Sequence, residues 1–495
     1  MIFFHGKKML AVVALLMISV LGACSTNPAT GEQSFTAFMS PEQEKRVGAE
    51  EHPKILKEFG GAYNDPALAA YVDRIGQSLA RNSELPNLGY TFTVLNSEEI
   101  NAFALPGGYV YVTRGLIALA DDEAELAGVL AHEIGHVTAR HTAQRYSQAV
   151  SIGLGAAVLG AVIGNGAVND VVGLGANLYL KSYSREQEFE ADSLGVRYLT
   201  RGAYDNSAMA SFLIHMRANS ALRAKLEGAE ENSVDQPDFL ATHPRTIDRV
   251  QRAIAEAGTN GGTGGQRRRV DYMAAIDGLL YGDDPKEGFI RRQEFVHPKL
   301  RFRFEVPDGF RLFNSTSAVL ARGPGDSAIR FDIDGKHFAG PMTSYLADIW
   351  GQNLSLSSME NITVNGMKGA TGTARVRGSS GIRDLRLVAV RQNPTRIYRF
   401  LFVTPLNLTA QLAPGLQRTT YSIRPISADE ADRYKPLRIL IRAVKPSDTV
   451  SSFARQMPFS DFQEERFRVL NGLTPVDPLR AGQLVKTITD KEPRR

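Results

Sequence analysis

His132-Glu133-Ile134-Gly135-His136 constrains this chain more tightly than any other stretch. It falls inside a long helix expected from about Asp122 into the region of Gln144. His132 and His136 are therefore one turn apart and can both reach a single ion. Neutral imidazole is a good zinc ligand, and Glu133 is placed to take a proton from a water that zinc acidifies to a pKa of about 7. A pattern this short arises by chance in roughly one or two chains per hundred of this length, so a metal site requires a third ligand elsewhere in the chain.

Arg185 to Tyr198 (REQEFEADSLGVRY) supplies one. Glu188 and Asp192 stand one turn apart on a second helix. A catalytic zinc takes three protein ligands and keeps one position open, and the segment resembles thermolysin-like sites, in which a glutamate is the third ligand, a role that Glu188 fits. Asp192 then accepts a hydrogen bond from a ligating histidine, as in thermolysin-like sites. Glu186 and Glu190 fall on other faces and are expected to be solvated. His141, five positions after His136, lies off the metal-facing stripe and is expected at the surface or behind a ligand. His52, His215, His297 and His337 have no partner pattern and are read as structural.

The N-terminus reads as an export signal: Lys7 and Lys8 precede an apolar run, Met9 to Val20, too short for a comfortable membrane span. Leu21-Gly22-Ala23-Cys24 resembles the lipobox of bacterial lipoproteins. The resemblance implies removal of residues 1–23, a lipid on Cys24 and a periplasmic protein held at a membrane, with Ser25 favouring the outer membrane over the inner. Residues 24–36 then form the tether. Cys24 is the only cysteine, so no disulfide forms within one molecule. The whole chain carries 57 basic and 53 acidic residues, too even a balance for a nucleic-acid partner.

A length of 495 residues implies two to four compact units. Ser40-Pro41-Glu42-Gln43 has the form of a helix start, a second helix follows Asp65, and Tyr90, Phe92 and Val94 alternate as in a strand. Asn101 to Thr113 (NAFALPGGYVYVT) reads as a hairpin turning at Pro106-Gly107-Gly108. Ile152 to Gly164 is almost wholly apolar but short of the ~20 residues of a spanning helix, and is read as a buried or membrane-dipping helical hairpin. A glycine-rich linker covers 257–269. Beyond it, Leu300, Phe302, Phe304 and Val306 alternate with charged residues, similar strand-like runs occur at 328–333, 385–390 and 397–403, and 342–356 is helix-like. Residues 270–430 thus form an α+β domain with no visible chemistry.

Thr242-His243-Pro244, with Arg249 six residues after His243, makes the resemblance specific. HEIGH at 132–136, SREQEFEAD at 184–192, HPRTIDR at 243–249, NAFALPGGYVYVTRG at 101–115 and NPATGE after the lipobox resemble the zinc metallopeptidase family of HtpX and the CAAX prenyl endopeptidases, particularly its periplasmic BepA-like branch. This implies an α+β, mainly helical gluzincin-type domain with a small sheet over 37–256, binding one Zn2+ through His132, His136 and Glu188, with Glu133 as catalytic base. His243 would lie near the metal, either as a resting fourth ligand or as an oxyanion donor, and Arg249 would orient site residues or substrate. The hairpin would border the cleft, so that Asn101, Ala102, Phe103, Gly107, Gly108 and Tyr109 hold an extended peptide by strand addition. Residues 435–490 resemble a small βααβ LysM module, which makes peptidoglycan a candidate partner. The reading is an endopeptidase acting on misfolded or stalled envelope proteins. Its rivals are a chaperone-like holdase for outer-membrane proteins and a wall-binding lipoprotein.

Overall fold

A computed structural model describes residues 24–151, 182–227, 247–259, 264–378 and 381–491. The chain divides into two compact units, the first reaching Tyr281 and resuming at Arg438, the second spanning Gly282–Leu437.

The first unit opens on a hairpin, β1 (Cys24–Thr26) paired antiparallel with β2 (Gln33–Phe35). Its turn is the NPATGE segment: Asn27 accepts the Ala29 N–H on its side chain and donates its own N–H to Glu32, while Gly31 takes φ 78°. The stretch expected to be a tether is therefore folded. Helix α1 (Pro41–Glu58) starts on the anticipated capping box, Ser40 and Gln43 each accepting the other's backbone N–H. Helix α2 (Pro66–Arg81) is capped by Asp65 and buries Leu68, Val72, Ile75 and Leu79.

β3 (Thr91–Leu95), β4 (Ala102–Leu105) and β5 (Tyr109–Thr113) form a sheet in the order β3-β5-β4, with β3 and β5 parallel and β4 antiparallel at an edge. Short helix α3 (Arg114–Leu119) leads to α4 (Glu123–Thr138), whose N-cap Asp122 accepts the Glu125 N–H. α4 does not run on to Gln144 as expected. Arg140 adopts a left-handed φ of 56°, and helical residues resume only at His141. The chain continues with α5 (Arg185–Arg201), started by a Ser184–Gln187 capping box, then α6 (Ala208–Glu227), α7 (Ile247–Thr259), α8 (Arg269–Ile276) and β6 (Leu280–Tyr281). The apolar run 152–164 lies outside the described residues. Among those described, no helix is long and apolar enough to cross a membrane.

After Arg438 the first unit adds β7 (Leu437–Ala443, whose first residue closes the other unit), α9 (Val450–Ala454), α10 (Gln463–Leu470) and β8 (Leu484–Thr489), in the order strand, helix, helix, strand. β8 pairs with β7, and β7 with β6. Lys486 of β8 is fully buried. Its ammonium donates to the carbonyls of Ala118, Leu119 and Ala120 at 3.1, 2.7 and 2.8 Å, where α3 ends, and lies 3.1 Å from Asp121 Oδ1. A lysine here satisfies carbonyls that a helix end leaves bare. The C-terminal segment is thus stitched into the unit that holds α4.

The second unit contains a seven-stranded antiparallel sheet in the order Arg311–Asn314, Val319–Gly323, Ser327–Asp334, Arg396–Pro405, Gly381–Asn393, Met367–Gly378, Ser357–Val364. The expected strand at 300–306 appears as Phe302–Glu305, with Phe302 and Phe304 buried in an aromatic core against Phe331 and Phe400. Asn365 and Gly366, both at positive φ, close one of its hairpins. The helix-like stretch at 342–356 is shorter than expected, because helical turns end at Gly351, whose N–H bonds the Leu346 carbonyl.

Candidate metal centre

Two glycines let α4 and α5 approach closely. A Cβ on Gly135 would stand 3.1 Å from the Ala191 carbonyl oxygen, and one on Gly195 would stand 3.3 Å from the His132 backbone nitrogen. Across this contact the helices bring His132, His136 and Glu188 together, all buried. His132 Nε2 and His136 Nε2 are 3.0 Å apart, and Glu188 lies 3.6 Å from the first through Oε2 and 3.5 Å from the second through Oε1. A tetrahedral ion with bonds of about 2.0–2.1 Å sets its ligand atoms roughly 3.4 Å apart, so this donor set fits a divalent metal.

The groups behind the ligands set their tautomers. His132 Nδ1 is 2.9 Å from Asp192 Oδ1, the role foreseen for Asp192, which leaves Nε2 with its lone pair toward the metal position. Arg249, on α7, grips Asp192 through two bonds of 2.7 Å and reaches Glu188 Oε2 at 2.5 Å. Burial alone would raise the Asp192 carboxyl, but Arg249's charge and the bonds from Arg249 and His132 outweigh it and hold the group below its usual value. Arg249 is raised despite burial, because Asp192 and Glu188 favour its charge. Arg249 thus contacts Asp192 and Glu188 together.

His136 is backed by His141. Its Nδ1 lies 2.7 Å from His141 Nδ1, His141 Nε2 lies 3.2 Å from Glu190 Oε2, and Glu190 Oε1 accepts from Asn27 Nδ2 at 2.7 Å. With His136 Nε2 kept free for a metal, Nδ1 carries the proton and donates to His141, which in turn donates to Glu190. Burial holds His136 well below its ordinary pKa, hence neutral and able to ligate. Of the two places expected for His141, the surface or behind a ligand, it takes the second. The left-handed Arg140 folds the chain back, and the same side chain binds Ser25 Oγ, the Met39 carbonyl and Glu44. Glu190 is half-buried and paired rather than solvated. Replacing His141 by Ala, or Glu190 by Gln, is expected to weaken metal affinity by about 10- to 100-fold, measured by chelator competition. Unchanged affinity in both would show that the relay does not hold His136.

Glu133 is buried and lines a small pocket with His132, Arg249, Asn101 and Ala102, walled by Met209 and Phe212. The rest of the expected peptide-binding set is not there. Phe103 packs with Ile55 and Tyr111, Tyr109 lies against His52, and the turn is covered by α1. A Cβ on Gly107 would come within 2.7 Å of Lys45 Cα, and one on Gly108 within 3.3 Å of Leu88. These glycines serve close packing. His243 lies outside the described residues.

Comparison with known sequences bears on this arrangement directly: residues 66–257 match the family model described as Peptidase family M48. The matched segment is similar to metallopeptidase domains. The beta-barrel assembly-enhancing protease of Escherichia coli is 31% identical over 220 residues, 43% of this chain and 43% of that one. Its Yersinia pestis counterpart is 31% identical over 226 residues, 44% of each chain. The mitochondrial metalloendopeptidase OMA1 of Schizosaccharomyces pombe is 27% identical over 215 residues, 42% of this chain and 59% of that one. The chain thus spans less than half the length of the two bacterial relatives. The range matched to the peptidase model begins at α2 and ends in α7. Asn27 and Glu44 stand before it, so the peptidase domain is buttressed from outside its matched range.

Proposed function

We propose that this protein is a zinc-dependent endopeptidase of the bacterial cell envelope that hydrolyses misfolded or stalled envelope proteins, held at a membrane by a lipid on Cys24. The observation that carries the reading is the convergence of His132, His136 and Glu188 beside a buried Glu133 within a metallopeptidase domain. A zinc ion bound there supplies a Lewis acid and a water acidified to a pKa of about 7. Glu133 takes the proton from the attacking water and hands it to the leaving amine. Asp192 and the His141–Glu190 pair hold the two imidazoles in orientation, and Arg249 keeps Glu188 in place. The edge strand β4 offers the start of a peptide track, since Ala102 shares the pocket of Glu133. The names of the bacterial relatives support an envelope substrate, and the lipobox-like Leu21 to Cys24 supports the anchor.

Casein cleavage by the purified chain, abolished by a chelator and restored by zinc, tests the enzymatic claim; cleavage that survives chelation would refute it. Fatty-acid labelling lost in Cys24→Ala tests the anchor, and labelling that persists would remove it.

A further inference from the structure

A second set of donors meets two turns earlier on α4. Asp121 precedes the helix, Glu125 lies in its first turn, and His215 comes from α6; all three are buried, with one donor atom of each within 4.8 Å of the others. His215 Nε2 bonds the carbonyl of Val469, which only accepts, so Nε2 carries the proton. Nδ1 of the neutral ring is then a bare lone pair, buried without a hydrogen-bond partner among the described residues. It faces Glu125 Oε2 at 3.7 Å and Asp121 Oδ2 at 4.0 Å.

The carboxylates divide their oxygens in a consistent way. Asp121 turns Oδ1 to Lys486 at 3.1 Å and Arg269 at 3.7 Å, and Oδ2 to His215. Glu125 uses Oε1 to accept from Ser211 at 2.7 Å, with Arg267 at 3.4 Å, and turns Oε2 to His215 and to the Asp121 N–H at 2.9 Å. The protein's own cations are therefore spent on the far oxygens. Three lone pairs converge on one buried point, which is repulsive unless something positive stands between them. A proton on Nδ1 is poorly placed, because N–H···O bonds need about 2.7–3.2 Å. A metal with bonds near 2.0–2.2 Å to each donor would draw the three side chains in by a few tenths of an ångström, and an imidazole with two carboxylates suits a borderline divalent ion. Gly472 closes over the point at φ +61°, and a Cβ there would fall 2.1 Å from Asp121 Oδ2.

We propose that Asp121, Glu125 and His215 form a second divalent-cation site, structural in role, which fastens the start of α4 and α6 to the C-terminal segment. It does not depend on the function proposed above, and its ion is separate from the catalytic one.

Zinc content of the full chain, measured by mass spectrometry after gel filtration from zinc-containing buffer, tests this. Wild type is expected to hold two equivalents, and His215→Ala or Glu125→Gln one. His136→Ala, which dismantles the catalytic centre, should retain one equivalent, and His136→Ala combined with Glu125→Gln none. Glu125→Gln keeps the side-chain shape and the Ser211 contact, so it remains informative if His215→Ala does not fold. Zinc should raise the melting temperature of His136→Ala and leave that of the combined variant unchanged. One equivalent in wild type, or a content that neither His215→Ala nor Glu125→Gln lowers, would overturn the site.

Discussion

Glu133→Gln is expected to keep its full metal content while peptide hydrolysis falls by about 10²- to 10⁴-fold. The ligands His132, His136 and Glu188 and the groups that orient them are untouched, and Gln has the shape of Glu. What disappears is a buried carboxylate able to accept a proton and return it. Metal content and initial rate on the same preparation separate the two effects. A variant that loses metal with activity would make Glu133 structural, and one that cleaves at the normal rate would end the proposed mechanism.

Lys486→Met is expected to destabilise the first unit by about 3–5 kcal/mol, the cost of removing one member of a buried ion pair. Methionine fills much of the same space but leaves Asp121 facing a hydrocarbon, and the carbonyls of Ala118, Leu119 and Ala120 lose their common donor. Burial tends to raise Asp121, yet Lys486 and Arg269 hold it below its usual value and ionised. The loss should appear as an earlier unfolding transition of the first unit, followed by hydrogen exchange at α4. If residues 438–495 were merely appended, the variant would unfold like wild type and the stitching described above would have no energetic content.

The residues of the candidate metal centre were legible because helical spacing is local. His132, His136, Glu188 and Asp192 each lie within a single uninterrupted helix, and the period of 3.6 places them correctly without tertiary knowledge. The pairing of Glu190 was not legible, because one left-handed residue, Arg140, redirects the chain and turns His141 toward it, and nothing in ARHTAQR marks that position. The N-terminal hairpin carried its turn signals in Asn27-Pro28 and Gly31, yet strands of three residues have no periodicity to read. Lys486 shows the opposite failure. A lysine within a strand reads as solvent-facing, and its partners lie more than 360 positions away. The hairpin at Asn101 was legible as a hairpin, whereas the choice between an open edge and a covered hairpin was not, because the helix that packs on its turn, through Gly48, announces no such contact in its own sequence.

The N-terminal hairpin also decides how far this protein could work from its point of attachment. Cys24 is the first residue of β1, and Asn27, three residues on, is bonded to Glu190 behind the metal centre. Three extended residues span at most about 10 Å. If Cys24 carries the proposed lipid, the linker has effectively zero length, in contrast to lipoproteins that float on long disordered leashes. The metal helix would then sit against the bilayer surface, and encounter would be a search in two dimensions. Chains that linger at the membrane during insertion would be met often, and proteins free in the aqueous compartment seldom. Selectivity of that kind needs no recognition sequence in the substrate, because the geometry of attachment imposes it.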